Sequence, residues 1–353
     1  MASGNVPIRF AANPWPTLRQ PCPGGACMTD LPRTSGLRIA VTGSSGFVGR
    51  HLVRWLLRRG HRVCSLSRKP AGSAGANHRL LTDYLDVTAL AAALAGCDVV
   101  VHLAARAHVL ADTAITPDQA FQLANRDSAV AVATAARAAG LWRFVLISSI
   151  GVNGDRTGLW PFKADDPPAP AEPYAVSKWQ AETAVAELMA DSPTELVILR
   201  PTLVYGGDCP GNFKLLLGLV HRLPIVPLGC LRSPRSLIYV GNLCDAIAQA
   251  ACHPGAAGGV FLVSDGMDLT IADVARTLAL AFGKPSSRVW DVPKPLLRLL
   301  AAAVGKRQAF DKLAVALTVD IQKFRAATGW NPPFLPAEAL TQTALGYLAT
   351  RIP

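Results

Sequence analysis

Eight cysteines, Cys22, Cys27, Cys64, Cys97, Cys209, Cys230, Cys244 and Cys252, are spread over 353 residues without one CxxC pair. None shares a spacing with the histidines that a zinc site would use, and no HExxH occurs, so no metal centre is expected. The thiols read as reduced and mostly buried. Long apolar runs are absent too. The most apolar late stretch, Leu296 to Val304, is interrupted by Arg298 and is too short to span a bilayer, which argues against membrane insertion. Charged residues make up only 17% of the chain, yet the formal net charge is +11. Lys and Arg are scattered, with no dense basic run and no interleaved aromatics, so the surplus does not read as a nucleic-acid surface. A phosphate-bearing ligand suits the same positive field.

The proline-rich first 36 residues show no apolar period and read as a flexible extension, with Met28 an alternative start. They lack the positive segment followed by a continuous apolar run that marks a secretory signal, so cytoplasm is the expected location. With 50% hydrophobic residues, the remainder is long enough for one large domain or two coupled ones.

From Leu37 onward, short β-rich apolar runs alternate with helical patterns. Candidate strands are Leu37 to Val41, Arg62 to Leu66, Cys97 to Leu103, Phe144 to Ser148 and Glu195 to Leu199. Candidate helices are Phe47 to Arg59, with Val48, Leu52, Trp55 and Leu56 on one stripe and Gly60 as terminator; about Pro117 to Ala139; and a third from Pro173 to Met189. This alternation predicts an α/β fold with a doubly wound parallel sheet of Rossmann type. After Leu199 the pattern loosens, with helices near Asn242 to Ala251, Ile271 to Phe282 and Ala337 to Leu348. The expected organisation is an extension over 1–36, a dinucleotide-binding domain over 37–200, and a smaller C-terminal substrate-binding region over 201–353 with some elements returning to the sheet.

Gly43-Ser44-Ser45-Gly46-Phe47-Val48-Gly49 lies between the first strand and the first helix. Glycines there permit a tight turn and close approach of backbone to a pyrophosphate, and a helix N-terminus offers unpaired N–H donors. The three-and-three glycine spacing resembles the TGxxGxxG of extended short-chain dehydrogenases. The second strand ends in Ser67-Arg68-Lys69, where an acid normally binds the adenosine ribose hydroxyls. Without that acid, Arg68 and Lys69 can pair with a 2′-phosphate, which favours NADP(H) while NAD(H) stays open. The same resemblance implies that Asp86, beside Val87, contacts adenine, that Leu103, Ala104 and Ala105 line the cofactor, and that Asn125 steadies this region.

Tyr174 and Lys178 stand four residues apart, on one helical face. A cation beside a phenol favours phenolate, so Lys178 is expected to lower the Tyr174 pKa from its ordinary value of about 10. Ser149 ends the Phe144 strand at the edge where open α/β sheets bind ligands. It precedes Tyr174 by 25 positions, a separation that resembles the sugar-nucleotide 4-epimerases. Taken together, these motifs resemble the NAD-dependent epimerase/dehydratase family of extended short-chain dehydrogenases from Leu37 to Leu348.

What the resemblance implies is an oxidoreductase acting at C4 of a UDP-sugar, with Ser149, Tyr174 and Lys178 catalytic. Leu199 to Thr202 and Val204 to Gly206 are similar to the segment entering the sugar-nucleotide pocket. Asn212 and Arg235 match positions that hold the nucleotide diphosphate. The 4,6-dehydratases carry Thr-Asp-Glu where this chain has Ser149, Ile150 and Gly151; neither Ile150 nor Gly151 can transfer a proton, which argues against dehydration. Reduction of a UDP-4-keto-6-deoxy-N-acetylhexosamine in surface-polysaccharide synthesis is the first expectation, a 4-epimerase the second. A regulator that binds dinucleotide without catalysis is a third class, disfavoured because both Tyr174 and Lys178 are present. A homodimer through the helices carrying Asn125 and Tyr174 is implied by the same resemblance.

Overall fold

The computed structural model describes residues 36–69, 75–106, 117–303, 305 and 307–351. The expected extension therefore lies outside the described residues, apart from Gly36. Seven parallel strands form the central sheet: β1 (Arg38–Thr42), β2 (Arg62–Ser67), β3 (Asn77–Leu80), β4 (Val99–His102), β5 (Arg143–Ile147), β6 (Glu195–Pro201) and β9 (Val260–Val263). Their spatial order is β3-β2-β1-β4-β5-β6-β9, with the reversal of winding between β1 and β4. The central strands are apolar on both faces, as a sheet covered twice requires. One face packs Ile39, Val41, Val145 and Leu199 against helices α1 (Phe47–Arg58) and α7 (Val240–Cys252). The other packs Ala40, Phe144, Leu146 and Ile198 against α2 (Val87–Leu94), α4 (Ser128–Ala138) and α5 (Pro173–Met189).

Helix α1 ends one residue short of expectation, with Gly60 in the left-handed conformation that closes it (φ 79°). The single helix expected from Pro117 to Ala139 is instead three pieces. A short α3 (Pro117–Phe121) runs into a π-helical turn, Gln122–Asp127, and then into α4. An extra residue per turn rotates Asn125 inward, and such turns gather at functional sites.

Beyond residue 201 the chain adds a three-stranded sheet. Strand β8 (Pro234–Tyr239) lies between parallel β7 (Leu203–Tyr205) and antiparallel β10 (Asp268–Thr270). Helices α6 (Gly211–Arg222), α8 (Ile271–Ala281) and α12 (Pro336–Ala349) enclose a separate core around Phe213, Leu217, Leu278 and Leu340. Strand β9 and helix α7 come from this half of the chain yet belong to the large sheet. The remaining helices are α9 (Lys294–Ala303), α10 (Arg307–Leu313) and α11 (Gln322–Thr328).

One charged contact lies inside this packing. Arg200 of β6 and Glu182 of α5 are both essentially inaccessible to solvent and form a forked ion pair, with Nη2 to Oε2 at 2.6 Å and Nε to Oε1 at 3.0 Å. Arg200 Nη1 also donates to Asn153 Oδ1 at 3.0 Å. Removing one partner leaves the other charge buried and uncompensated. Glu182→Ala is expected to cost about 3–5 kcal/mol in urea unfolding, and the Glu182→Met, Arg200→Met pair is expected to recover most of it. A double variant as unstable as the single one would contradict this.

Candidate functional site

The site gathers at the carboxyl edge of the large sheet. Gly43, in the left-handed conformation (φ 66°), turns the chain out of β1, and a Cβ there would lie 2.7 Å from the Ala104 nitrogen. At Gly49 a Cβ would stand 2.3 Å from the Gly43 carbonyl oxygen, so α1 can begin this close to the turn only with glycine. Thr42 binds the ends of two strands together: its Oγ1 accepts from the Leu103 and Ala104 N–H groups at 3.2 and 3.3 Å and lies 3.0 Å from His102 Nδ1. Ala105 is exposed just beyond this pair. Ser44 anchors the turn from behind by donating to the Leu66 carbonyl at 3.0 Å.

Gly46 takes the N-cap position of α1, no side chain caps the helix, and its first turn has no acid. Its leading N–H groups, at Phe47, Val48 and Gly49, are therefore the donors that suit an external anion. Ser45 borders them, its carbonyl accepting from Arg50 at 2.8 Å. The Phe47 ring turns toward the other half of the molecule, against Gly206. Asp208 reinforces that joint by accepting from Arg50 at 2.9 Å and His51 at 2.8 Å. Burial alone would raise the Asp208 carboxyl; the His51 and Arg50 hydrogen bonds outweigh it and hold the group below the usual carboxylate range.

At the end of β2, Ser67 is buried and bonds inward to the Lys69 carbonyl and to His78 Nε2, while Arg68 is exposed. The structure places Asp86 at the N-cap of α2, where Oδ1 accepts from the Ala89 N–H at 2.9 Å, with Val87 the first helical residue. Tyr84, passed over in the sequence, stands against the glycine turn instead. Its hydroxyl donates to the Leu66 carbonyl at 2.9 Å and accepts from the Gly43 N–H at 3.2 Å. No local pattern announces that contact, which spans 41 residues.

Asn125 joins the loop after β4 to the first turn of α5. Its Oδ1 accepts from the Arg106 N–H at 2.7 Å, and its Nδ2 donates to Ser177 Oγ at 2.8 Å. Ser177 in turn donates to the Tyr174 carbonyl at 2.8 Å. Tyr174 occupies the first turn of α5, with its ring edge-on to Phe121. Lys178, one turn on, is buried and donates to the Ile147 carbonyl at 2.7 Å. Ser149 starts the short turn Ile150–Val152, its Oγ accepting from the Gly151 N–H at 3.2 Å. A Cβ on Gly151 would meet both Ala175 and Ser149 Oγ, so this turn lies directly against the first turn of α5.

The expected effect of Lys178 on Tyr174 is not what this geometry produces. Burial pushes the phenol up to about 12 instead of down. Burial also lowers Lys178 to about 8, with Glu182 partly opposing, and its ammonium is directed at the Ile147 carbonyl. His102, buried and next to Lys178, is driven down to about 3 by burial and then by that cation, so it is neutral.

Of the diphosphate candidates, Asn212 lies exposed in the first turn of α6, and Arg235 is buried in β8. Arg235 Nη1 donates to the Lys312 and Val315 carbonyls at 2.5 and 2.9 Å, fixing the guanidinium plane. Arg200 is buried in its pair with Glu182. Asp265, with its carboxyl raised to about 6 by burial, joins β7, β8 and α7 by accepting from Tyr205, the Tyr239 N–H and Asn242.

Residues 39–264 match the NAD dependent epimerase/dehydratase family. A UDP-glucose 4-epimerase of Vibrio cholerae is 38% identical over 317 residues, covering 88% of this chain and 95% of its own length. Among solved structures, a UDP-glucose 4-epimerase from Thermotoga maritima with UDP-glucose superposes with a TM-score of 0.72 at 20% identity, covering 90% of this chain and 100% of that one. A dTDP-glucose 4,6-dehydratase from Streptomyces venezuelae with NAD gives 0.72 at 25% identity, covering 89% and 98%. In the cofactor-free protein, the tyrosinate absorbance lost on Tyr174→Phe should appear only toward pH 12. A tyrosine titrating near pH 8 and abolished by that substitution would contradict the burial argument.

Proposed function

The chain belongs to the NAD dependent epimerase/dehydratase family, and on that premise we propose that it transfers hydride between a nicotinamide dinucleotide and C4 of a UDP-sugar, in the direction of 4-keto reduction. The proposed substrate is a UDP-4-keto-6-deoxy-N-acetylhexosamine of surface-polysaccharide synthesis. The observation that carries this reading is the convergence of Ser149, Tyr174 and Lys178 at one sheet edge. Reduction of a ketone requires an acid, and the Tyr174 hydroxyl, which burial keeps from ionising, can supply that proton.

The uncapped N-terminus of α1 and the turn from Gly43 to Gly49 would hold the pyrophosphate of a dinucleotide, which when bound would supply the hydride. Tyr174 delivers its proton to the C4 oxygen as that carbon becomes an alcohol. Ser149 accepts from Gly151, which leaves its own proton to donate to the same oxygen. Lys178 spends one N–H on Ile147 and keeps two for the ribose beside the nicotinamide. Ile150 and Gly151 offer no group for removing water. Asn212 and Arg235 take the diphosphate in this reading. The Ser67-Arg68-Lys69 corner supports NADPH, the usual reductant, because no carboxylate stands there to repel a 2′-phosphate.

A second reading, a UDP-hexose 4-epimerase that retains its cofactor and returns the hydride to the other face of C4, is favoured by the 38% identity to the Vibrio protein. Purified protein mixed with NADPH and UDP-4-keto-6-deoxy-N-acetylglucosamine should consume reduced cofactor stoichiometrically. No consumption, together with interconversion of UDP-hexoses without added cofactor, would establish the epimerase instead. Tyr174→Phe is expected to lower kcat by about 10²–10⁴-fold. Arg68→Gln is expected to raise the KM for NADPH about tenfold, roughly 1.4 kcal/mol, with little change for NADH; an equal change for both cofactors would remove the 2′-phosphate contact.

A further inference from the structure

Helix α9 presents more apolar surface to solvent than a surface helix needs. It buries Leu297 alone, while Leu296, Leu299 and Leu300 are 48%, 67% and 53% exposed. Trp290, just before the helix, is 54% exposed. Between α9 and α10 lies a groove of 560 Å³ whose apolar lining includes Pro295, Leu299, Ala302, Phe310 and Ala314. The described residues from 294 to 314 carry four cations, Lys294, Arg298, Arg307 and Lys312, against the carboxylate of Asp311. Arg298 and Arg307 share that carboxylate, at 2.8 and 3.8 Å, and Lys312 pairs with Glu172 at 2.5 Å, which leaves the face net positive.

Exposed leucines and a tryptophan set among cations make the composition of an element that lies in the plane of a bilayer interface. We propose that the α9–α10 face docks the protein peripherally on an anionic lipid surface, its leucines entering the interface and its cations meeting the headgroups. A second copy of the chain fits this face poorly, because a two-fold contact would set its cations against themselves. A nucleic acid would use the cations and leave the leucines in water. The docked face adjoins the proposed diphosphate site, since the Lys312 and Val315 carbonyls at the end of α10 hold Arg235. Docking thus brings that end of the site next to the membrane, and no helix among the described residues is long and apolar enough to cross it.

The test is co-sedimentation of the full chain with vesicles of phosphatidylcholine alone and of phosphatidylcholine with phosphatidylglycerol, at low and high salt. Partitioning is expected to be at least about tenfold stronger on the anionic vesicles, to weaken with salt and to be lost in the Leu296→Ser, Leu299→Ser, Leu300→Ser variant. Leu300→Glu alone should weaken it in a protein whose thermal midpoint is unchanged. Equal partitioning of wild type and both variants would overturn the proposal. So would a wild-type dimer that the substitutions convert to monomer, because the face would then belong to a second copy. These readouts do not depend on the reaction, so failure here leaves the C4 chemistry untouched.

Discussion

The guanidinium of Arg200 is the joint on which the site is assembled. It pairs with Glu182 on the helix that carries Tyr174 and Lys178, and it holds Asn153 at the end of the turn that Ser149 begins. Three segments distant in sequence are thereby fixed by one planar group whose geometry matches a carboxylate and an amide oxygen at once. A buried ion pair of this kind adds little net stability over an apolar replacement, because desolvation offsets attraction. What it supplies is register: a slide of α5 along the sheet would break the fork. Glu182 also lies one turn from Lys178 and raises its proton affinity against burial, so the same pair acts on geometry and on charge.

The glycine turn and the loop after β4 are fixed by neutral contacts. Thr42 gathers the N–H groups of the loop after β4, Tyr84 and Ser44 tie the glycine turn to β2, and Asn125 passes the position of Arg106 on to Ser177 and the first turn of α5. Every link uses a buried or half-buried donor with a matched acceptor, the condition for such a network to be rigid. The π-helical turn is needed for this, since it orients Asn125 toward both Arg106 and Ser177. The donors left over, at the N-terminus of α1, face the place where a dinucleotide would lie.

The features legible in the sequence were those with a short-range signature. The glycine turn, the strand that ends in Ser149, the Tyr174–Lys178 spacing and the apolar stripe of α1 each depend on residues within about one or two turns of each other. Strands β3, β7, β8, β9 and β10 are missing from the candidate strands, because segments of three to six residues are too short to show a period. The break at Gln122 has no local signature for another reason: an alanine-rich stretch suits an α-helix, and the Asn125 bonds to Arg106 and Ser177 that accompany the wider turn are tertiary contacts. Burial caused the largest departure. Spacing alone placed a cation near Tyr174 and suggested a lowered pKa, but the low-dielectric surroundings of both side chains, invisible in a motif, reverse the direction. Arg200 belonged to a motif assigned to the pocket, yet its partner is Glu182, 18 residues earlier, and no local rule pairs them.

In the proposed reaction, hydride moves between the cofactor and sugar C4 while Tyr174 supplies the proton. The decisive measurement follows the label from NADPH deuterated at the transferring position of the nicotinamide into UDP-4-keto-6-deoxy-N-acetylglucosamine. One deuterium is expected at C4 of the product sugar, and none in the solvent-derived hydroxyl proton. Deuterium at another carbon, or a product that carries none, would contradict it.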